Sequence, residues 1–299
     1  MTKIYGILAS PAGHSLSPAM FNAAFAETGI DARYEVFDEP DLGKLSDWRN
    51  LSPNLAGLSV SSPYKESILE YLDEMSEDVR AIGACNTVKI DDIPDDDDGN
   101  SKKIARGFNT DWIGFLEALK EKIATVKDLN VVVLGAGGAA RAIVYGLVKE
   151  GAKVVILNRT IEKAAKIAED FSHINNNFPH NNESSIQYGE LGEIDSFKCD
   201  LLVQATSVLI SDNGPDSNNE LGINFITEEF LQNNTPVVFD IIYKPLITPL
   251  LQMALDNGCE VITGEKMLLN QAVKQFEIWF GEKAPVETMR KAIEPIFKN

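Results

Sequence analysis

Residues able to build a metal cage or a disulfide framework are scarce in this chain. Among 299 residues there are three histidines, His14, His173 and His180, and three cysteines, Cys85, Cys199 and Cys259. The histidines form no HExxH or other ligand spacing, so no metal is expected. The cysteines are odd in number, far apart and without CxxC spacing, which reads as reduced thiols of a cytoplasmic protein. Long apolar runs are missing as well. No stretch approaches the roughly 20 continuous apolar residues of a membrane span. The opening MTKIYGILAS runs into a strand-like segment without the apolar core of a signal peptide. Basic runs are also absent: 45 acidic residues face 27 basic ones, for a net charge of -18. Such a surface repels nucleic-acid phosphates and favours solubility. An anionic ligand would therefore have to be held by local donors.

What is present is ordinary globular composition, 44% hydrophobic and 24% charged, in a length sufficient for two cores. Strand and helix signals alternate, as in an α/β protein. KIYGIL (3–8), RYEVF (33–37) and AGLSV (56–60) read as strands, with helical patterns near 18–28 and 64–72. Pro40 followed by Asp41, Leu42 and Leu45 predicts a helix over 40–50. Segment 86–108 predicts two strands joined by an acidic, solvated tip. A helix is predicted from Asp111, then a strand–helix–strand unit over 131–160, with polar loops at 175–182 and 211–219. Strands are expected at 200–206 and 236–242, and helices over the last fifty residues. There are no internal repeats. A unit of this kind in mid-chain suggests boundaries near 111 and 245.

The clearest motif follows the strand VVVL. Gly135, Gly137 and Ala140 fit G-x-G-x-x-[GA] at the start of a helix. Gly135 permits the tight turn, Gly137 lets the backbone approach a pyrophosphate, and Ala140 allows close helix–strand packing. The helix N-terminus would then stabilise phosphate charge. The alternative is a glycine-rich packing turn with no ligand, but the strand–turn–helix–strand context favours a bound dinucleotide. The end of the second strand selects the cofactor. An NAD enzyme usually has Asp or Glu there for the ribose 2′-OH; this chain has Asn158-Arg159-Thr160, with Lys163 a turn later. Arg159 can form charge-assisted bonds to a 2′-phosphate, and no carboxylate repels it. Arg159 and Lys163 could simply be surface cations, but a helix start disfavours cations. NADP is the expected cofactor.

Eight segments, in order, resemble the shikimate dehydrogenase family over essentially the whole chain. They are GHSLSPAMFNAAF (13–25), SVSSPYKE (59–66), AIGACNTV (81–88), GFNTDWIGF (107–115), GAGGAARA (135–142), NRTIEKA (158–164), DIIYKPLITPLL (240–251) and GEKMLLNQAVKQFEIWFG (264–281). The resemblance implies an N-terminal α/β substrate-binding domain, a Rossmann NADP-binding domain, and C-terminal helices returning to the first domain. The expected division is 1–111 with 246–299, and 112–245. The implied reaction is reversible reduction of 3-dehydroshikimate to shikimate with NADPH, in chorismate and aromatic amino-acid biosynthesis. The chain would be a cytoplasmic monomer or homodimer whose partner is a small ring carboxylate.

The resemblance also assigns residues. Lys65 and Asp111 match the catalytic pair, although alone they would read as a solvated lysine and a helix cap. Ser15 and Ser17 match a carboxylate clamp, and either could instead cap the helix near Pro18. Ser61, Asn86, Tyr243 and Gln271 match contacts to ring hydroxyls and carboxylate. The cofactor residues would be Gly135, Ala136, Gly137, Gly138, Ala139, Asn158, Arg159, Thr160, Lys163, Thr206, Gly264 and Met267. The chain departs from the commonest family pattern at four places. Ser59 and Ser61 stand in SVSSPYK where N-V-T-x-P-x-K is usual. Gln204 replaces Asn, Leu209 replaces Gly, and Glu265-Lys266 replace small residues. Loss of the longer Asn arm at Ser59 is expected to alter a ring contact, and Leu209 to reshape a loop near the cofactor. A quinate/shikimate dehydrogenase or related paralogue is the nearest alternative, and a non-catalytic NADP-binding sensor is an alternative of another class. A folate dehydrogenase of similar architecture fits less well, because Lys65 and S-x-S match the shikimate pattern.

Overall fold

Alternating apolar runs and turn residues yield two sheets, each with its own core. The structure is a computed structural model describing residues 1–38, 51–52, 54–94, 101–174, 186–206, 209–211, 220–222 and 225–297. The expected helix over 40–50, the tip at 95–100, the loop at 175–182 and most of the loop at 211–219 lie outside the described residues. The chain divides into two compact units, Met1–Thr110 with Gln271–Asn299, and Asp111–Asn270.

The first unit opens with β1 (Lys3–Ala9), α1 (Ser17–Thr28), β2 (Ala32–Asp38), β3 (Leu55–Val60), β4 (Glu74–Met75), α2 (Glu77–Ile82), β5 (Thr87–Pro94) and β6 (Ser101–Phe108). Their sheet order is β2-β1-β3-β5-β6-β4. β1 lies parallel to β2 and β3, whereas β5 and β6 form the predicted antiparallel hairpin, from Thr87 opposite Phe108 to Pro94 opposite Ser101. Every residue of β3 is buried, which suits its apolar run, broken only by Ser59. The helix expected over 64–72 is reduced to a 3-10 turn, Ser67–Tyr71. A continuing α-helix would bond the Lys65 carbonyl to Leu69 N–H. That carbonyl instead accepts from Cys85 N–H at 2.7 Å, and Leu69 N–H turns to Glu66.

The second unit contains α3 (Asp111–Leu119), β7 (Asn130–Leu134), α4 (Gly138–Lys149), β8 (Lys153–Leu157), α5 (Ile161–Phe171), β9 (Ile186–Gly189), β10 (Leu201–Gln204), β11 (Leu209–Ser211), β12 (Glu220–Gly222), α6 (Glu228–Asn234), β13 (Val237–Asp240), α7 (Pro249–Asp256) and β14 (Val261–Ile262). Its main sheet is parallel throughout, in the order β14-β13-β10-β7-β8-β9. This is the doubly wound order, whose direction of progression reverses between β7 and β10, the place where such sheets take ligands. Val131–Leu134 are fully buried, as helices on both faces require. Residues 246–270 belong to this unit, whereas sequence alone suggests an end near 245. The reason is packing. β14 pairs with β13, and Leu250, Leu251 and Ala254 of α7 fill the same core as Val132 and Leu134.

The chain re-enters the first unit within α8 (Gly264–Phe280) and ends on α9 (Val286–Ile293). The return of the C-terminal helices is anchored by aromatic residues. Trp279 Nε1 donates to the Val88 carbonyl at 3.0 Å, and its ring centroid lies 4.8 Å from that of Tyr5 and 5.0 Å from that of Phe21. Cys85, Cys199 and Cys259 are buried and form no disulfide, and burial pushes Cys199 up to about 12.

Candidate active site

In the first unit, the candidate residues lie just beyond strand ends and on α1 and α8. Ser61 follows β3, where its N–H donates to the Leu8 carbonyl of β1 at 2.9 Å and its own carbonyl accepts from Tyr64 N–H at 2.9 Å. This turn presents Lys65, which is half-buried and held at its carbonyl by Cys85. Ser15 does the capping-type work, since its Oγ accepts from Ser17 N–H at 3.2 Å. Ser17, the first residue of α1, is itself buried.

Asn86 and Gln271 are brought together from opposite ends of the sequence. Asn86 Oδ1 accepts from Thr110 N–H and from Thr87 Oγ1, each at 2.8 Å. A backbone N–H can only donate, so the amide orientation of Asn86 is determined. Its Nδ2 then donates to Thr110 Oγ1 at 2.9 Å and to Gln271 Oε1 at 3.4 Å. Tyr34 and Gln275, which no sequence motif singles out, belong to the same polar layer. Tyr34 Oη donates to Ser59 Oγ at 2.6 Å, Ser59 Oγ to Gln275 Oε1 at 2.6 Å, and Gln275 Nε2 to the Asn86 carbonyl at 3.1 Å. Burial pushes the Tyr34 phenol up, against the opposing effect of the Ser59 and Ser17 hydroxyls. Ser59 is 5% exposed, so its hydroxyl is spent inside this layer. The one available sequence signal is that Gln275 stands four residues after Gln271, on the same helix face.

In the second unit, the turn after β7 has the features its sequence demands. Gly135 adopts φ +111°, and a Cβ there would come within 3.1 Å of the Ala205 backbone and 3.0 Å of Thr206 Cγ2. Gly135 and Thr206 thus meet where β7 and β10 diverge. Gly137, the N-cap of α4, is exposed, and a Cβ on it would meet nothing within 4 Å. Gly138 and Ala139 open α4, Ala136 is half-buried, and Ala140 is buried against the sheet. At the end of β8, Asn158 Nδ2 donates to the Thr160 carbonyl at 2.8 Å. Thr160 is the N-cap of α5 but makes no side-chain capping bond. Arg159 and Lys163 are exposed, and among the described residues no carboxylate pairs with either. Open space over Gly137 beside two uncompensated cations and a spare hydroxyl fits a dinucleotide carrying an extra phosphate.

The remaining candidates of this unit sit at element ends. Asp111 begins α3 and is 4% exposed. Tyr243, beyond β13, is half-buried, and burial pushes its phenol up. Met267 is buried in the first turn of α8. Gly264 has a packing reason of its own: a Cβ would lie 2.4 Å from the Ile241 carbonyl oxygen. That neighbour is backbone and cannot swing aside. Gly264→Ala is therefore expected to destabilise the protein by about 2 kcal/mol or more, the scale of a forced backbone shift. Denaturant unfolding of the two proteins at one pH measures it, and an unchanged midpoint would contradict the contact. Three departures also find their places. Gln204 is buried and folds onto Thr206, with Nε2 to Oγ1 at 2.9 Å and Oε1 accepting from Thr206 N–H at 2.8 Å. Lys266 pairs with Glu121. The Leu209 backbone lies in β11, parallel to β12.

Asp240, the first residue of the segment DIIYKPLITPLL, adds a buried carboxyl to which the sequence assigns no role. Its Oδ1 accepts from Ile242 N–H at 2.9 Å and its Oδ2 from Thr248 Oγ1 at 2.7 Å, while Thr248 caps α7 by accepting from Leu251 N–H. Burial nevertheless pushes this carboxyl up to about 6. The unfolded chain has the ordinary value near 3.9, so the folded state binds the extra proton between about pH 4 and 6. The associated stability is fully present below about pH 4 and is lost as the pH rises through about 6. Asp240→Asn is expected to remove this loss, about 3 kcal/mol at most from about two pH units. Its stability relative to the parent should rise from pH 4 to 6.5 and then level; a pH-independent offset would count against it.

A parallel Rossmann unit with this open glycine turn, in one chain with a polar-lined α/β unit, defines an NADP-dependent oxidoreductase with a separate substrate-binding domain. Residues 7–88 match the shikimate dehydrogenase substrate binding domain, 117–187 the shikimate / quinate 5-dehydrogenase domain, and 264–294 the shikimate 5'-dehydrogenase C-terminal domain. The shikimate dehydrogenase (NADP(+)) of Aquifex aeolicus is 37% identical over 296 residues, covering 99% of this chain and 97% of its own. Among solved structures, a shikimate dehydrogenase in complex with NADP+ superposes with a TM-score of 0.82 at 35% identity, covering 100% of this chain and 96% of its own. The Thermus thermophilus enzyme in complex with NADP(H) and shikimate gives a TM-score of 0.74 at 32% identity, covering 98% and 99%. This chain belongs to the shikimate dehydrogenase family.

Proposed function

We propose that this protein catalyses the reversible NADP-dependent reduction of 3-dehydroshikimate to shikimate, in the cytoplasm, as a step of chorismate and aromatic amino-acid biosynthesis. Nearly full-length relatedness to NADP-dependent shikimate dehydrogenases carries this reading. Among the described residues no helix is long and apolar enough to cross a membrane. The chain would act as a monomer or homodimer.

When bound, NADPH supplies the hydride that reduces the ring ketone. Backbone N–H groups over Gly135–Ala139 would hold its pyrophosphate; Asn158, Arg159, Thr160 and Lys163 would hold the 2′-phosphate. Thr206, Gly264 and Met267 would flank the nicotinamide. Lys65 Nζ donates a proton to the developing alkoxide and stabilises its charge, and takes the proton back in the oxidative direction. Asp111 is the second catalytic group. Ser15, Ser17 and Ser61 supply hydroxyls to the ring acid, and Asn86, Gln271 and Tyr243 supply further hydrogen bonds. Neutral donors suffice because they are preorganised, and a ligand lacking their partners would leave buried polar groups unpaired at about 1–3 kcal/mol each.

The test compares kcat/KM for shikimate and quinate with NADP and with NAD. Shikimate with NADP should be the best combination, and absence of that turnover would overturn the reading. Preference for quinate would favour the paralogue. The changed SVSS and QATSVL segments point that way, and the Ser59 hydroxyl of the first is engaged by Tyr34 and Gln275.

A further inference from the structure

We propose that Ser59 and Gln275 are positioning residues that hold the Asn86–Gln271 amide pair in the orientation that receives the ring acid; this rests on the function proposed above. The direction of every bond in the layer follows from one group that can only accept. The Asn86 carbonyl accepts from Val60 N–H at 2.8 Å and from Gln275 at 3.1 Å, so the Gln275 atom facing it is Nε2. Its Oε1 then faces Ser59 and must accept, which commits the Ser59 proton to Gln275. Ser59 Oγ is left to accept from Tyr34 Oη. The result is a one-way relay, Tyr34 to Ser59 to Gln275 to Asn86.

Each end of the relay leads to a candidate ligand contact. At one end Tyr34 stacks on Phe21 of α1, with centroids 4.7 Å apart and planes 8° apart, one turn after Ser17. At the other, Gln275 ties α8 to the backbone of Asn86, while Gln271, one turn earlier, meets the Asn86 side chain. Because Thr110 N–H orients Asn86, the Gln271 atom facing it is Oε1. The Ser59 hydroxyl and both amide termini of Gln275 are taken up by bonds within the layer, which gives these two residues a positioning role. At the place where the family pattern usually has asparagine, the Ser59 hydroxyl meets a glutamine of α8. The two residues, 216 positions apart, work as one unit.

Gln275→Met keeps the length and removes both bonds; Ser59→Ala breaks the relay one step earlier. Each is expected to raise KM for shikimate about tenfold, the factor carried by one well-placed hydrogen bond. Their kcat should stay within about twofold, and the Kd for NADP, measured separately, should be unchanged. Ser59→Thr, which keeps the hydroxyl, should have a KM close to that of the parent. Lowered thermal stability with parental KM in both variants would overturn the proposal, leaving these residues as core polar contacts only. If Gln275→Met does not fold, Ser59→Ala against Ser59→Thr decides. No shikimate turnover by the parent would overturn the functional reading and this proposal with it; parental turnover with unaltered KM in the variants would overturn this proposal alone.

Discussion

Lys65→Ala is expected to lose at least about 100-fold in shikimate turnover, the lower end of what a positioned acid–base group contributes, while retaining NADP binding. The two parts separate because the residues assigned to the cofactor lie in the second unit and Lys65 lies in the first. The fold should tolerate the change. Lys65 is half-buried, and the bond it accepts from Cys85 N–H is made through the backbone carbonyl that alanine keeps. The loss should therefore fall on kcat, as expected for an interaction made in the transition state. Single-turnover rates together with an NADP titration measure both parts. Near-normal turnover would remove Lys65 from the mechanism.

The second large effect is expected at Arg159. Arg159→Ala should lower kcat/KM with NADP by about 100-fold while changing it little with NAD. A hydrogen bond to a charged group contributes about 1.5–3 kcal/mol, and a guanidinium can make two such bonds to one phosphate. NAD has no 2′-phosphate to lose. Arg159 is exposed and pairs with no carboxylate among the described residues, so its removal leaves no buried partner behind. Measuring both cofactors with one substrate isolates the phosphate. An equal fall with each would show that Arg159 serves the fold or the whole dinucleotide.

The two halves of the site are not equally legible. The glycine turn can be read position by position, because Gly135, Gly137 and Ala140 act within six residues of each other and answer to local sterics. The structure returns the same reasons: a positive φ at Gly135, open space over Gly137, and burial of Ala140. The substrate-side residues are reached only through resemblance, since single serines, an asparagine and a glutamine have no distinctive spacing. In sequence Ser59 reads as an altered ring contact, yet it lies buried between Tyr34 and Gln275. Residues 64–72 read as helix, and the Lys65–Cys85 bond shortens them to a 3-10 turn.

Neighbours along the chain suffice to specify the α/β class, the dinucleotide turn and the choice of NADP, because periodicity, turn geometry and strand-end chemistry are all local. Long-range packing settles the rest: that 246–270 stay with the Rossmann core, that Asp240 holds a raised carboxyl beside Thr248, and that Gln275 meets Ser59. The last of these contacts joins residues 216 positions apart. Such a pairing leaves no periodic trace in either segment, and burial, which gives it its energy, exists only after the sheets have formed.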